Sequence, residues 1–400
     1  MTAPSPTVCI DARGLLTRHG TGVATYAAGL ADSLAGAGLA VERLAEAGEH
    51  GRLRRWAAAL PPGARAAPRV EPGLRASPDV FRMAQVYFDL HRRFLPLRDA
   101  SPPGLMHWTY PVPLRFVGVP NVVTVHDVIP LQHPGLSPVS STRLRRLLRG
   151  VGRWADHVAT VSEASRNAIL AETGWDPARV TSTLQSVSVS RDACDSAAAA
   201  GALGLHPGGY FLCAGSIEPR KNIRALIAAH AASGVAAPLV LAGPDGWRAA
   251  EELRDAGPGV RRVSWLPRAE LVGLMAGAKA VLMPSLAEGF GLPVAEAMAL
   301  GVPTLASRGG ALEEVAGGAS LLVDAGDVRG MAAAVAALDG DAGMRADLLA
   351  RGLRRAEAFT PAAHAERVLA VYARLGPWPR NVAGATGTPG ATGVAAAAGM

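Results

Sequence analysis

The sequence predicts an α/β protein made of two similar halves, each a parallel sheet covered by helices. Three observations carry this. Short β-rich runs alternate with helical patterns along most of the chain, which is the arrangement that builds parallel sheets. The alternation breaks once, at Ser186–Gly209, where periodicity is weak and the alanine run Ala197–Ala200 falls. The chain has 400 residues with 49% hydrophobic content, enough for two domains with a core each. The expected division is residues 1–190, a linker at 191–209, residues 210–360, a helix at 361–378, and a tail at 379–400.

In chain order, Thr7-Val-Cys-Ile-Asp11 is the first strand, and Gly20-Thr-Gly22-Val opens a helix that runs to Leu34. Leu39–Leu44 is the second strand. Residues 50–100 give weaker signals: Pro61-Pro62, several arginines and a helical pattern over Val80–Phe94. Leu105–Tyr110 and Asn121–Val128 read as buried strands, Thr142–Ala155 as a helix, His157–Ser162 as a strand and Glu163–Glu172 as a helix. The second series has strands at Tyr210–Gly215, Pro238–Gly243, Val260–Leu266, Ala280–Met283, Thr304–Ser307 and Ser320–Val323. Helices lie between them, and three more end near Leu375. Residues 379–400 are rich in Gly, Ala, Thr and Pro without periodicity, so disorder is expected there. Two α/β halves predict a deep cleft, with ligands at the carboxyl ends of the strands.

The net charge is +7, and Lys221 and Lys279 are the only lysines. A basic balance suits anionic sugar nucleotides, an anionic membrane face or nucleic acid, and no nucleic-acid motif accompanies it. Cys9, Cys194 and Cys213 lack metal or redox spacing and read as small apolar residues in a reducing cytoplasm. The first residues lack the layout of a signal peptide, and no run of 18 apolar residues occurs, so a cytoplasmic protein is expected. Arg143, Arg146, Arg149 and Arg153 fall near one face of a helix whose other face carries Leu144, Leu147, Leu148, Val151 and Trp154. Two readings stand: an ordinary amphipathic helix with a solvated face, or a peripheral contact with the inner face of the membrane.

The most informative stretch runs from Pro284 to Gly301. It reads as the end of strand Ala280–Met283, a glycine loop and a helix with Pro293 in its first turn. Gly289 and Gly291 let backbone come close to a ligand. Free N–H groups and the helix dipole favour an oxygen-rich or anionic ligand there. Glu288 in the loop and Glu296 one turn into the helix face one crevice, as acceptors for hydroxyl groups. No His or Cys partners cluster nearby, so the pair suits a sugar and a ribose better than a metal. The plainer alternative is a loop-to-helix turn with two solvated glutamates.

Gly215-Ser-Ile-Glu-Pro-Arg220-Lys221-Asn222 leaves the first strand of the second half, where cations neutralise a diphosphate leaving group. Val122-Val-Thr-Val-His126-Asp127 puts a histidine and an aspartate at the end of a buried strand, with a core histidine and a capping aspartate as the alternative. Gly20-Thr-Gly22 is not a GxGxxG, because Ala24 and Thr25 follow, and a dinucleotide fingerprint fails. Ser162-Glu-Ala-Ser165 has the form of a helix cap.

Together these strings resemble the retaining glycosyltransferases of family 4, over roughly residues 7–375 and most densely over 210–325. The resemblance implies a GT-B fold: two Rossmann-like domains facing a deep cleft, with helix 361–378 crossing back to the first. It implies catalytic roles for His126, Arg220, Lys221 and Glu288. His126 would lie beside the donor sugar, and Arg220 and Lys221 would hold the diphosphate. It implies donor binding by Gly20, Gly22, Gly215, Leu266, Glu296 and the loop Gly289, Phe290, Gly291 and Leu292, with Glu296 on the ribose. The expected reaction moves a hexose, mannose first, from a nucleotide diphosphate sugar to a hydroxyl acceptor with retention, in surface polysaccharide or glycoconjugate assembly. The acceptor would be carbohydrate or lipid-linked and would be read by residues 45–100. No metal and no cofactor beyond the co-substrate are expected, since no Asp-x-Asp string appears. Two rivals stand: a sugar-nucleotide hydrolase or epimerase on the same fold, and a non-catalytic sugar-nucleotide-binding regulator.

Overall fold

The computed structural model describes residues 7–13, 22–46 and 64–376. Gly20, most of the first glycine loop, residues 377–378 and the tail 379–400 lie outside the described residues. Two sheets organise the chain. The N-terminal sheet has eight strands in the order Val180–Ser182, His157–Thr160, Asn121–Thr124, Leu105–Trp108, Thr7–Asp11, Ala40–Glu46, Leu74–Ser77 and Arg69–Glu71. Its pairs are parallel apart from the last, which is antiparallel.

The C-terminal sheet has six parallel strands in the order Val260–Val263, Leu239–Ala242, Phe211–Ala214, Ala280–Met283, Thr304–Ser307 and Leu321–Val323. In chain order this is the doubly wound arrangement, and it reverses between Phe211–Ala214 and Ala280–Met283. The loops that leave those two strands carry Gly215–Asn222 and Pro284–Gly291, so the fold brings both motifs to the switch point. Every residue of Phe211–Ala214, Leu239–Ala242, Ala280–Met283 and Thr304–Ser307 is buried. Helices cover both faces, which explains why these strands read as unbroken apolar runs.

The stretch with weak sequence signals forms small pieces. Arg65–Ala66, Leu95–Arg98 and Leu114–Phe116 make a separate three-stranded sheet beside the large one. Arg75, fully buried, ties this region together. It pairs with Glu42 and with Asp99 at 2.5 Å, and donates to Ser101 O at 2.7 Å. Strands of two to four residues leave no period to detect, and a buried arginine looks like surface in a sequence.

The stretch expected as a linker, 191–209, carries structure of its own. Just before it, Val187 N–H donates to Phe359 O at 2.8 Å. Ser196–Gly201 is a helix capped by Asp195, and Ala200 is buried. It lies against helix Arg268–Ala276, close enough that a Cβ on Gly273 would sit 3.1 Å from Ala199 Cβ. A short helix with a methyl face has no apolar alternation, which is why its sequence resembled a linker. Helix Pro361–Tyr372 then returns to the N-terminal domain. His364 Nδ1 lies 3.1 Å from Ser33 Oγ on helix Gly22–Gly36, and Tyr372 OH lies 2.6 Å from His107 Nδ1. The helix ends at Tyr372, before the 378 expected.

Candidate active site

The centre of the site is an ion cluster between the two loops of the switch point. Glu288 Oε1 accepts from Lys221 Nζ at 2.7 Å, and Oε2 accepts from Arg220 Nη1 at 2.6 Å. Arg220 also donates to Ala287 O at 3.1 Å and to Glu218 Oε1 at 2.6 Å. Backbone joins the loops as well, since Leu286 N–H donates to Arg220 O at 2.8 Å. Asn222 braces them from behind, giving its amide to Pro284 O and Ala325 O. Burial alone would raise the Glu288 carboxyl, but Arg220 and Lys221 outweigh it and hold the group down at about 2. Gly215 has φ +139, and a Cβ there would meet Lys221 Cε at 3.3 Å, so a glycine is what leaves this lysine its place. Three of Arg220's five N–H directions and one of Lys221's three are used on these partners, which leaves donors for an anion.

The N-terminal domain meets this cluster with His126 and Asp127, just past strand Asn121–Thr124. His126 Nε2 lies 2.9 Å from Thr109 O; a carbonyl only accepts, so Nε2 carries the proton and Nδ1 is a bare acceptor. Tyr26 meets the imidazole edge-on at 4.8 Å between centroids, and Tyr110 stacks on it at 6.3 Å. Burial keeps the ring neutral, lowering it to about 4. Asp127 accepts from Ile129 N at 3.0 Å, and burial raises its carboxyl.

Gly289 is where the domains touch. A Cβ on it would fall 2.9 Å from His126 O and 3.1 Å from Asp127 Oδ2. Its carbonyl accepts from Ser162 Oγ at 2.7 Å and Ser165 Oγ at 2.9 Å. The sequence suggested that Gly289 lets backbone approach a ligand; here the close approach is to the other domain. Glu314 adds to this contact, accepting from Glu163 N and Ala164 N at the start of helix Glu163–Thr173, both at 2.8 Å. Ser162 thus caps its own helix and also reaches across the cleft, a second role that a capping pattern does not reveal.

Glu296 lies on helix Leu292–Ala299 and is buried. Both its carboxylate oxygens accept from the guanidinium of Arg268, one of them at 3.1 Å. Burial raises its carboxyl, and Arg268 only partly opposes this. Sequence reasoning missed Arg268, yet it had a signal. It is the first residue of helix Arg268–Ala276, where the dipole disfavours a cation, so a tertiary partner is implied. Leu266 follows strand Val260–Val263 and is half-buried against the core. The Phe290 ring packs edge-on against Phe359 at 5.4 Å, which leaves only its backbone to face the cleft. Gly291 precedes the helix with φ +99, and Leu292 packs on the core. Gly22 starts the helix that carries Tyr26 and is exposed; Gly20 lies outside the described residues.

Comparison with known proteins adds to this geometry. Residues 20–183 match the family described as Glycosyltransferase Family 4, and residues 208–341 match Glycosyl transferases group 1. O-antigen chain mannosyltransferase B of Escherichia coli is 32% identical over 252 residues, which are 60% of this chain and 66% of that protein. D-inositol 3-phosphate glycosyltransferase of Kineococcus radiotolerans is 31% identical over 64% of this chain and 66% of its own length. The chain thus spans just under two thirds of these curated relatives. Among solved structures, sucrose-phosphate synthase from Thermosynechococcus elongatus superposes with TM-score 0.69 at 20% identity, over 92% of this chain and 99% of the other. HepE of Anabaena, solved with UDP and glucose, superposes with TM-score 0.67 at 16% identity, over 92% of this chain and 100% of its own. At such identities the likeness is one of fold, and the fold is GT-B.

Proposed function

The chain belongs to the family 4, group 1 glycosyltransferases, and on that premise we propose that it transfers a hexose from a nucleotide diphosphate sugar to a hydroxyl acceptor with retention of configuration. The observation that carries this is the placement of Arg220, Lys221 and Glu288 at the switch point, opposite His126. The donor diphosphate lies over Arg220 and Lys221, which stabilise the charge it gains on leaving. The acceptor oxygen bonds to the anomeric carbon on the face from which the diphosphate departs. The bond between that carbon and the phosphate oxygen breaks with its electron pair, and the released oxygen takes the acceptor's proton. Neutral His126 faces the sugar with an acceptor nitrogen, Glu288 fixes the cations and meets sugar hydroxyls, and Glu296 exchanges Arg268 for ribose hydroxyls. Fixed cations do the work that a divalent metal does in other transferases.

Mannose is our first sugar and GDP-mannose our first donor, a choice supported by the likeness to a mannosyltransferase. The solved neighbours that bind UDP and UDP-glucose keep uridine donors in the test. The acceptor is a carbohydrate or a lipid-linked sugar in surface polysaccharide or glycoconjugate assembly, read by the N-terminal domain, and the work is done in the cytoplasm. A thermal-shift screen of sugar nucleotides selects the donor, because a ligand of the folded state at a hundredfold excess over its Kd adds about 2.7 kcal/mol. Transfer is then followed by NMR of the anomeric proton, with and without EDTA. An α product from an α donor, formed in both cases, is expected. A β product sinks retention, and activity lost with EDTA and restored by Mg²⁺ sinks the metal-free clamp.

A further inference from the structure

We propose that the N-terminal domain carries a second anion site, built for phosphate groups, away from the cleft between the domains. Helix Ser141–Trp154, the turn after helix Val80–His91 and the small three-stranded sheet line a cavity of about 720 Å³ that is open to solvent on one side. That volume is typical of a small-molecule pocket. Arg92, Arg93, Arg115, Arg146, Arg149 and Arg153 line it. Among the described residues, no carboxylate forms an ion pair with any of the six.

The neighbouring arginines of the same helix are different. Arg143 donates to Asp89 at 2.6 Å and to Gln85 at 2.5 Å, and Arg145 pairs with Glu172 at 3.0 Å. The sequence grouped Arg143 with Arg146, Arg149 and Arg153; the structure separates it from them. The three that face the cavity recur at helical spacing on one side. Six like charges around one concavity repel each other, and a bound anion is what relieves this. Guanidinium forks fit phosphate oxygens two at a time.

The cavity is also held open. The Arg115 guanidinium lies 3.9 Å from the Trp154 ring centroid, which fixes one donor plane against an aromatic wall. Buried Phe94 packs on Gly150, where a Cβ would fall 2.2 Å from the ring, so the helix can approach here only without a side chain. The start of the helix is on the cleft side, since Ser141 Oγ donates to Pro130 O at 2.5 Å, shortly after His126 and Asp127. Its end leads to Asp156, which accepts from Asn121 N at the opposite, amino end of strand Asn121–Thr124. Fourteen helical residues span about 21 Å; Arg149 and Arg153 lie in the half remote from the cleft and Arg146 near the middle.

The ligand chemistry is phosphate, from a lipid headgroup or a free phosphate or diphosphate. Titration of the full chain with inorganic pyrophosphate, and its sedimentation with phosphatidylglycerol or phosphatidylcholine vesicles, separate the sources. The test variants are Arg146→Gln/Arg149→Gln/Arg153→Gln and, on other elements, Arg92→Gln/Arg93→Gln, with their melting curves as the check on folding. Lys221→Ala serves as the control for pyrophosphate held in the cleft. Lys221→Ala should lose any pyrophosphate held in the cleft but keep the pyrophosphate held at the remote site, and both arginine variants, made in the Lys221→Ala background, should bind about tenfold more weakly or worse. Pyrophosphate binding alone identifies a free phosphate ligand, and binding to phosphatidylglycerol but not phosphatidylcholine vesicles identifies a lipid one. If the wild type binds neither probe, if folded arginine variants bind as Lys221→Ala does, or if Lys221→Ala by itself abolishes binding, the site does not exist.

Discussion

Glu288 and Glu296 belong to one loop–helix unit and are about equally buried, at 8% and 3% side-chain exposure. Their carboxyls nonetheless shift in opposite directions, Glu288 down to about 2 and Glu296 up. Burial pushes both upward. Glu288 answers with two cations, of which Lys221 is 9% and Arg220 21% exposed. Glu296 has one, and Arg268 is 45% exposed, so solvent screens its attraction. What decides the charge of a buried carboxylate is the burial of its partners more than its own. Glu288 is therefore a fixed anion around which the cluster is built. Glu296 is held by a partner that swings into water at small cost, which suits a group that exchanges partners when a ligand arrives.

The largest effect that tests this contrast is on stability. Glu288→Ala leaves two cations without their shared counterion and should cost about 3–5 kcal/mol in denaturant unfolding. Glu296→Ala, whose partner returns to water, should cost much less; equal losses would break the comparison. Next comes Lys221→Ala, which on the proposed function removes charge stabilisation from the leaving group. It should raise the barrier by about 2.7–4 kcal/mol, seen in kcat with donor KM little changed. A raised KM at constant kcat would mean that Lys221 holds ground and transition states alike. Smaller again, Glu296→Ala should weaken nucleoside diphosphate binding by about 1.5–3 kcal/mol in a direct titration, and unchanged affinity would remove it from the site.

The smallest effect sharpens the contrast through pH. Glu288 has a depressed folded-state pKa, so its contribution is present above the ordinary 4.5 and is lost as pH falls towards about 2. Glu296 has a raised one, so its contribution is present below 4.5 and is lost as pH rises through its folded value. Stability of Glu288→Gln relative to wild type should therefore worsen as pH rises from 2 to 4.5, whereas that of Glu296→Gln should improve above 4.5. For Glu288→Gln the change should be on the order of 1–3 kcal/mol. Parallel trends for the two variants would show that both carboxylates sit in the same environment.

Much of the C-terminal half was legible because its signals are local. Strands such as Ala280–Met283 are covered on both faces and appear as apolar runs, and Pro293 marks the helix that follows. Helix Val80–His91 and strand Leu105–Trp108 were legible, but the short strands between residues 65 and 116 were not, because Arg75 joins Glu42, Asp99 and Ser101 across segments that have no common period. Arg268 was invisible as a partner of Glu296 for the same reason, although its position at a helix start was a local irregularity.

The sequence by itself determined that two α/β halves exist and that Arg220, Lys221, Glu288 and Glu296 follow strand ends, because strand exit and helix start are encoded within a few residues. Only the tertiary structure decided which cation faces which carboxylate, that Gly289 serves the contact with His126 and Asp127, that Phe290 turns inward to Phe359, and that six arginines share one cavity. Those outcomes depend on desolvation and on distances between chain segments far apart in sequence, and neither is written in any local pattern of residues.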